Sequence, residues 1–365
     1  MIYIVNVNEL DSLRLGYDGR VRNLIKILDK SGIENLAITN NIGHINKIKH
    51  VNFNYPGYKI IKTIQYKKNI SLLRFLSNVI FSFKLVFYLG IKLKDNDRVV
   101  INSIPPEILG AVSLLKKILR IDFKIILDVR DLWPYAYRMH KKSFAINLWS
   151  YFCTFLMKSG LKNVSHLIVV SKQYINVINE LGYKKDYTYL PLGFDKNRWK
   201  PIKICENENL TGFYIGNENN QINLDTTFKQ LDGLFKKIII VGRHDKKINL
   251  SKTNLIYEGL KDPESINKII MHCHYGILPS LDQSGAGLPN KLFDYMGALL
   301  PVIAFGNDEA AQFVTRNKIG LVHSKNLVSC NVIEQHKSLR ENLSKVRNSF
   351  STDYLYSSYK EIIMR

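Results

Sequence analysis

Apolar positions along the chain fall into two alternating patterns. Short, nearly continuous apolar runs rich in β-branched residues read as strands, and longer stretches with apolar residues three and four apart read as helices. MIYIVNV opens the chain as a strand. After a loop holding Gly16 and Gly19, Arg20–Lys30 places Val21, Leu24, Ile25 and Leu28 at helical spacing, and Gly32 ends it. ENLAIT, RVVINS, FKIILDV, HLIVVS and YTYLPLG predict further strands, while residues 41–70 are polar and irregular. Leu72–Leu93 predicts an aromatic-rich helix, and PPEILGAVSLLKKIL a helix with prolines in its first turn. Strands alternating with helices predict a doubly wound parallel sheet.

The pattern restarts after a polar break over Gly193–Asn209 that contains Pro201. LTGFYIG, KKIIIVG, NLIYEG, HYGILPS and LLPVIAFG predict five strands, with helical stretches at Leu224–Leu234, Ser265–Met271, Lys291–Gly297 and Ala310–Asn317. The expected fold class is therefore α/β, with two Rossmann-like doubly wound domains facing a cleft. The expected boundaries are 1–193, 194–348, and a C-terminal helix over 349–365 that returns to the first domain. In open α/β sheets ligands bind at the carboxyl ends of the strands, which points to that cleft.

Composition narrows the class. The chain has 365 residues, 46% of them hydrophobic and 23% charged, enough to bury a sizeable core and unlike a disordered or collagen-like chain. Cys153, Cys205, Cys273 and Cys330 form no CxxC pair, so a zinc ribbon is not expected and reduced thiols are. The start lacks the basic region of a secretory leader, which suggests a cytoplasmic protein. The approach to a membrane span over Phe75–Ile91 is interrupted by Lys84. Net charge is +21, and it is lopsided: residues 1–195 hold 29 Lys and Arg against 14 Asp and Glu, residues 196–365 hold 23 against 17. Such a field favours an anionic partner, whether acidic lipid, a phosphorylated substrate or nucleic acid; a scattered solvated surface is the plainer alternative.

The richest chemistry lies in LPSLDQSGAGLPNKLFDYMGALLPVIAFG (278–306). A strand runs into a loop with Gly285 and Gly287, and Pro289 leads into a helix carrying Lys291 and Asp294. Backbone N–H groups at such a helix start suit a diphosphate, and Lys291 adds a point charge. Asp294, three residues on, shares nearly the same helix face and suits the hydroxyls of a ribose. An ordinary strand–turn–helix with a surface Lys and Asp is the competing reading.

GLPNKLFDYMGALLPVIA resembles the nucleotide-sugar signature of GT-B glycosyltransferases, especially glycosyltransferase family 4, in which G-x-G-L-P leads to P-x-K-x-x-E-Y-x-x-x-G-x-P-V-I-A. VSHLIVVSKQYINVINELGY, YLPLGFDKNRWKP and LDVRDLWP are similar to further family segments in the same order. The resemblance implies a donor site in the second domain with Asp294 on the ribose and Lys291 on the phosphates. It implies that the glycine loop with Gly16 and Gly19 approaches donor and acceptor. It places Arg130 and Asp131 where acceptor and transferred sugar meet, with Asp131 orienting or deprotonating an acceptor hydroxyl; a structural pair between the two is the alternative.

Departures from the pattern are informative. The family's first acid, eight positions before Asp294, is Ala286 here. The cations that usually follow the first strand of the second domain are replaced by GNENNQINLD, and Arg243 in VGRHDKK is a candidate substitute. Arg20 and Arg22 begin a helix, where the dipole disfavours cations and an anionic ligand would offset the cost. His272 and His274 read as two positions on one strand face with no third metal ligand nearby. The helices over 72–93 and 144–161 carry aromatic clusters flanked by Lys and Arg; interfacial helices of the basic first domain touching anionic lipid are one reading and sheet-covering core the other, favoured for most of each, with Lys67, Lys68, Lys141 and Lys142 as a rim toward lipid.

The expected activity is transfer, with retention, of a sugar from a nucleoside-diphosphate sugar to a glycan or lipid-linked acceptor in surface polysaccharide assembly of the O-antigen or capsule type. No metal or other cofactor is implied. An anionic membrane surface, the inner face of the membrane, is an expected partner and nucleic acid is not. A non-catalytic GT-B-like subunit that binds glycan or a partner protein is the alternative.

Overall fold

The structure is a computed structural model that describes the chain except residues 16–18, 45–46, 69–70, 133–143, 203–208, 218–223, 245–247, 281–286 and 325–328. It divides into two compact units, one of Met1–Leu190 with Tyr356–Arg365, the other of Pro191–Leu355.

The first unit is built on strands β1 (Ile2–Val5), β2 (Asn35–Asn40), β3 (Tyr58–Ile61), β4 (Arg98–Asn102), β5 (Lys124–Val129), β6 (Val164–Val169) and β7 (Tyr187–Tyr189). They form one sheet in the order β3-β2-β1-β4-β5-β6-β7, and every pairing is parallel. Ile4 lies opposite Ala37 on one side and Val100 on the other. All four residues of β1 are buried, as the near-continuous apolar run requires for a strand covered on both faces. The strand order reverses at β1, so the ends of β1 and β4 form the switch point where a crevice opens.

Its helices are α1 (Leu10–Leu15), α2 (Arg20–Lys30), α3 (Leu72–Lys92), α4 (Pro106–Leu119), α5 (Phe144–Leu161) and α6 (Gln173–Glu180). Ser71 caps α3 by accepting from the Arg74 N–H, and Pro106 opens α4, where a missing N–H costs nothing. Strand β3 and helices α1 and α6 were not in the sequence reading. Strand β3 lies inside the segment read as irregular; it is a short edge strand that fully buries only Ile61, so it carries little apolar signal. Helix α1 has six residues, too few for a periodicity to register.

The second unit holds β8 (Thr211–Ile215), β9 (Lys237–Val241), β10 (Asn254–Gly259), β11 (Tyr275–Leu278), β12 (Val302–Ala304) and β13 (Gly320–Val322). All pair in parallel, in the order β10-β9-β8-β11-β12-β13, which puts this sheet's switch point between β8 and β11. Its helices are α7 (Leu224–Gln230), α8 (Pro263–Ile270), α9 (Asn290–Gly297), α10 (Glu309–Asn317) and α11 (Ser329–Arg347). Phe228, Phe235, Ile238, Ile240, Tyr275 and Ile277 pack in its core. The sixth strand, β13, is three half-buried residues and was not expected. The last helix, α12 (Thr352–Met364), contributes residues 356–364 to the first unit. His272 and His274 stand in the turn before β11 rather than on a strand. The His274 Nδ1 accepts the Thr211 N–H at 3.1 Å, so this imidazole serves the fold.

Candidate functional site

In the second unit the signature segment becomes α9, and Tyr295 seats that helix on the sheet. Its hydroxyl donates to the Ile277 carbonyl at 3.2 Å and accepts the Ile215 N–H at 3.2 Å, bridging β11 and β8 at their switch point. Gly276 on β11 makes room: a β-carbon there would sit 2.5 Å from the Tyr295 ring. One turn earlier on the same helix, Lys291 is thereby aimed at the carboxyl end of β8. Its ammonium donates to the Tyr214 hydroxyl at 2.9 Å and lies 4.1 Å from the centre of that ring. Burial pushes the Lys291 amine down to about 8, with Asp294 opposing the shift.

Gly216, just past β8, stands beside this ammonium, and Gly242, just past β9, packs on Gly216. Gly216 and Gly242 both take positive φ, +150° and +136°, and a β-carbon on Gly242 would fall 2.1 Å from the Gly216 carbonyl oxygen. A β-carbon on Gly216 would fall 2.9 Å from the Lys291 Nζ. Only backbone fits between these strand ends and the lysine. Arg243 follows Gly242; its N–H donates to Asn217 Oδ1 at 2.9 Å, tying the two loops, while its side chain is exposed. The His244 ring stands 5.9 Å from the Tyr214 ring. Tyr214 and His244 were missed in the sequence, where the tyrosine reads as one more apolar strand position.

Asp294 is partly buried on α9. Burial pushes its carboxyl up to about 6, against Arg198, a hydrogen bond from the Trp199 side chain and Lys291. The carboxylate is therefore not a free surface acid, and some of its acceptor capacity is committed to Trp199. Gly287 is buried just before α9. Gly285, together with Ala286, lies outside the described residues, as does Gly16.

In the first unit the structure rearranges the expected pairs. Arg20, which begins α2, is buried and donates from Nε and Nη2 to Asp128 on β5, at 2.9 and 3.1 Å. The anion that offsets the helix dipole is thus a carboxylate of the protein. Arg130 turns back to the same group, its Nε 2.9 Å from Asp128 Oδ2, and the Tyr359 hydroxyl of α12 donates to that oxygen at 2.9 Å. Burial raises the Asp128 carboxyl, but the two guanidiniums outweigh it and hold it below the usual carboxylate range. The Arg20 guanidinium also lies 4.8 Å from the Tyr359 ring. Arg130 is therefore engaged by Asp128, not by Asp131. Asp131 is exposed beyond the end of β5, its backbone carbonyl accepting from the Ser103 hydroxyl at 3.1 Å.

Gly19 caps α2 at φ −81°, a conformation open to any residue, and a β-carbon there would meet only ordinary contacts with Glu9 and Ser12. No close approach requires glycine at that position. Glu9 itself, not singled out in the sequence, is buried after β1, accepting from Asn6 Nδ2 at 2.9 Å and the Ser12 hydroxyl at 2.7 Å. Its carboxyl is raised by burial, against Ser12, Arg130, Asn6 and Arg22. Among the described residues no group of three or more His, Cys, Asp or Glu is placed to hold a metal ion.

No protein-family model matches the chain, and no curated protein matches it. Solved structures do. The apo form of the lipopolysaccharide outer core galactosyltransferase WaaB aligns with a TM-score of 0.68 at 12% identity, over 99% of this chain and 98% of that one. HepE of Anabaena, in complex with UDP, aligns with a TM-score of 0.65 at 11% identity, over 99% and 98%. A sucrose-phosphate synthase from Thermosynechococcus elongatus aligns with a TM-score of 0.62 at 14% identity, over 99% and 97%. With its two parallel α/β sheets of seven and six strands, the chain has the GT-B fold of these glycosyltransferases.

Proposed function

We propose that the chain is a nucleotide-sugar-dependent glycosyltransferase that moves a sugar, with retention, to a hydroxyl of a glycan or lipid-linked acceptor. The observation that carries this reading is the Lys291 ammonium, held by Tyr214 beside the glycine-lined ends of β8 and β9. A partly desolvated cation beside open backbone is suited to the diphosphate of a donor, and Asp294 on the same helix is suited to the attached ribose. HepE has been solved with UDP-glucose, and its likeness to this chain favours a donor of that class.

In this reading the residues divide the work. Departure of the nucleoside diphosphate builds negative charge on its phosphate oxygens. Lys291, the start of α9 and the Arg243 side chain offer compensating charge where it develops. Asp131, exposed past β5, is the acceptor-side group that would orient the incoming hydroxyl. Arg130 acts one step back, through Asp128, by holding the β5 end in place. The acceptor, in this proposal, belongs to surface polysaccharide assembly of the O-antigen or capsule type.

The test is transfer of labelled sugar by the purified chain, together with thermal shift over a panel of nucleotide sugars. A ligand that binds only the native state raises the melting temperature by mass action. Lys291→Ala and Asp294→Asn are expected to remain folded, lose the donor-induced shift and lose turnover. Full turnover in both variants would reject the site.

A further inference from the structure

Helices α3, α4 and α5 form one layer of the first unit, α4 packing against both α3 and α5. Phe75 of α3 meets Phe152 of α5 with ring centres 6.0 Å apart. Each helix buries one face and leaves an apolar outer face. Phe83, Phe87 and Ile91 repeat at four-residue spacing along α3; Ile118 stands on α4, and Leu148 and Phe155 on α5. All six are exposed, from 62% for Leu148 to 76% for Phe83. A face of this kind on adjoining helices is a docking surface, because each aromatic left in water forgoes about 1.5–3 kcal/mol of burial.

Charge selects the occupant. Residues 35–94, which contain α3, carry ten Lys and Arg and no Asp or Glu; residues 132–179, which contain α5, carry six and none. The first unit as a whole holds 31 Lys and Arg against 14 Asp and Glu, a net +17. Lys84 directly follows Phe83, Lys92 follows Ile91, Lys117 precedes Ile118, and Lys158 stands one turn beyond Phe155; all four are exposed. A second copy docked on the same face would bring two cationic rims together, at a cost. An anionic bilayer takes the aromatic side chains into its boundary and the lysines onto its head groups, each worth about 1 kcal/mol near the surface.

We infer that the outer face of α3, α4 and α5 docks on an anionic lipid bilayer, with the helices lying in the plane of the surface. Helix α3 is long and apolar enough to cross a membrane. Its inner face, however, carries Arg74, Ser77, Asn78 and Ser82 buried against the protein, so it rests on the bilayer instead. The inference stands on the first unit alone and does not depend on the donor site.

The test is co-sedimentation of the full chain with vesicles of phosphatidylcholine containing phosphatidylglycerol, and with vesicles of phosphatidylcholine alone. Binding is expected on the first and not on the second, and it should fall as salt is added. The double variant Phe83→Asp, Phe87→Asp is expected to lose more than about tenfold in partitioning, from the transfer energy of two aromatics. It should keep the wild-type melting temperature and any nucleotide-sugar shift, which separates this face from the donor site. As a second readout, Phe87→Trp should show a blue-shifted emission component on vesicle addition that the wild type lacks. Failure of the wild type to bind phosphatidylglycerol vesicles, undiminished binding by the double variant, or a dimer that the double variant breaks would each overturn the inference.

Discussion

The ammonium of Lys291 rests against the hydroxyl of Tyr214, 2.9 Å away, at the carboxyl end of the first strand of the second unit. Both side chains are largely withdrawn from water, and burial lowers the amine to about 8. Lys291 is therefore protonated below that pH and loses its charge above it. If a diphosphate binds here, its negative charge raises the amine again, so binding near pH 8 takes up a proton. Affinity for UDP or GDP should fall as pH rises through about 8. Calorimetry in two buffers of different ionisation enthalpy should show the uptake in the wild type and not in Lys291→Met. That variant should bind roughly 10–100-fold more weakly, the loss expected for a charge-assisted hydrogen bond worth about 1.5–3 kcal/mol.

Asp294 predicts the opposite balance between stability and binding. Its carboxyl rises from 3.8 to about 6 in the folded chain, with burial the leading cause. A folded value above the unfolded one means the native state holds its proton more tightly. That contribution is full below about pH 4 and is lost as pH climbs through 6. In the absence of donor, Asp294→Asn should flatten the fall in melting temperature between these pH values relative to the wild type. The same variant should lose about tenfold or more in nucleotide-sugar affinity, as removal of a charged acceptor implies.

Gly242 offers a steric test. Its β-carbon position is 2.1 Å from the Gly216 carbonyl oxygen, and its φ of +136° is strained for any L side chain. Gly242→Ala must displace the loop after β8, against which Lys291 packs. We expect a stability loss of about 1–3 kcal/mol in urea unfolding together with loss of the nucleotide-induced thermal shift. Gly19→Ala, at φ −81° with ordinary neighbours, should change neither by a measurable amount.

Asp128 should govern the acid stability of the first unit. Its carboxyl sits below the usual range because Arg20 and Arg130 outweigh burial. A depressed folded value contributes stability above the unfolded value near 3.9, lost as pH falls through the folded one. Removing the carboxylate takes the anionic partner away from the buried Arg20. Asp128→Ala is expected to cost about 3–5 kcal/mol at pH 7, the range for breaking one side of a buried ion pair. The difference from the wild type should narrow in unfolding measured below pH 4.

Most strands were legible because parallel strands covered on both faces are written as unbroken apolar runs, as in IYIV and KIIIV. Strands β3 and β13 were not, since YKII and GLV are edge pieces with little to bury. Helix α9 was legible because Pro289 stands just before its first turn and Lys291 and Asp294, three positions apart, keep a helical spacing that a sequence displays directly; the phosphate it would hold belongs to the proposal. The cluster of Arg20, Arg130 and Asp128 was not legible. Two residues apart, Asp128 and Arg130 look like a strand residue and a loop residue, and 108 positions separate Arg20 from its partner.

By itself, the sequence determined the alternation of strand and helix, the two-sheet construction and the basic bias of the first half, since these follow from local periodicity and from charge counts. Tertiary structure alone decided that Lys291 meets Tyr214, that Asp128 gathers two arginines and a tyrosine from the last helix, and that three apolar helix faces are left uncovered. Each of these depends on which distant segments the sheets bring side by side, and neither spacing nor composition carries that information.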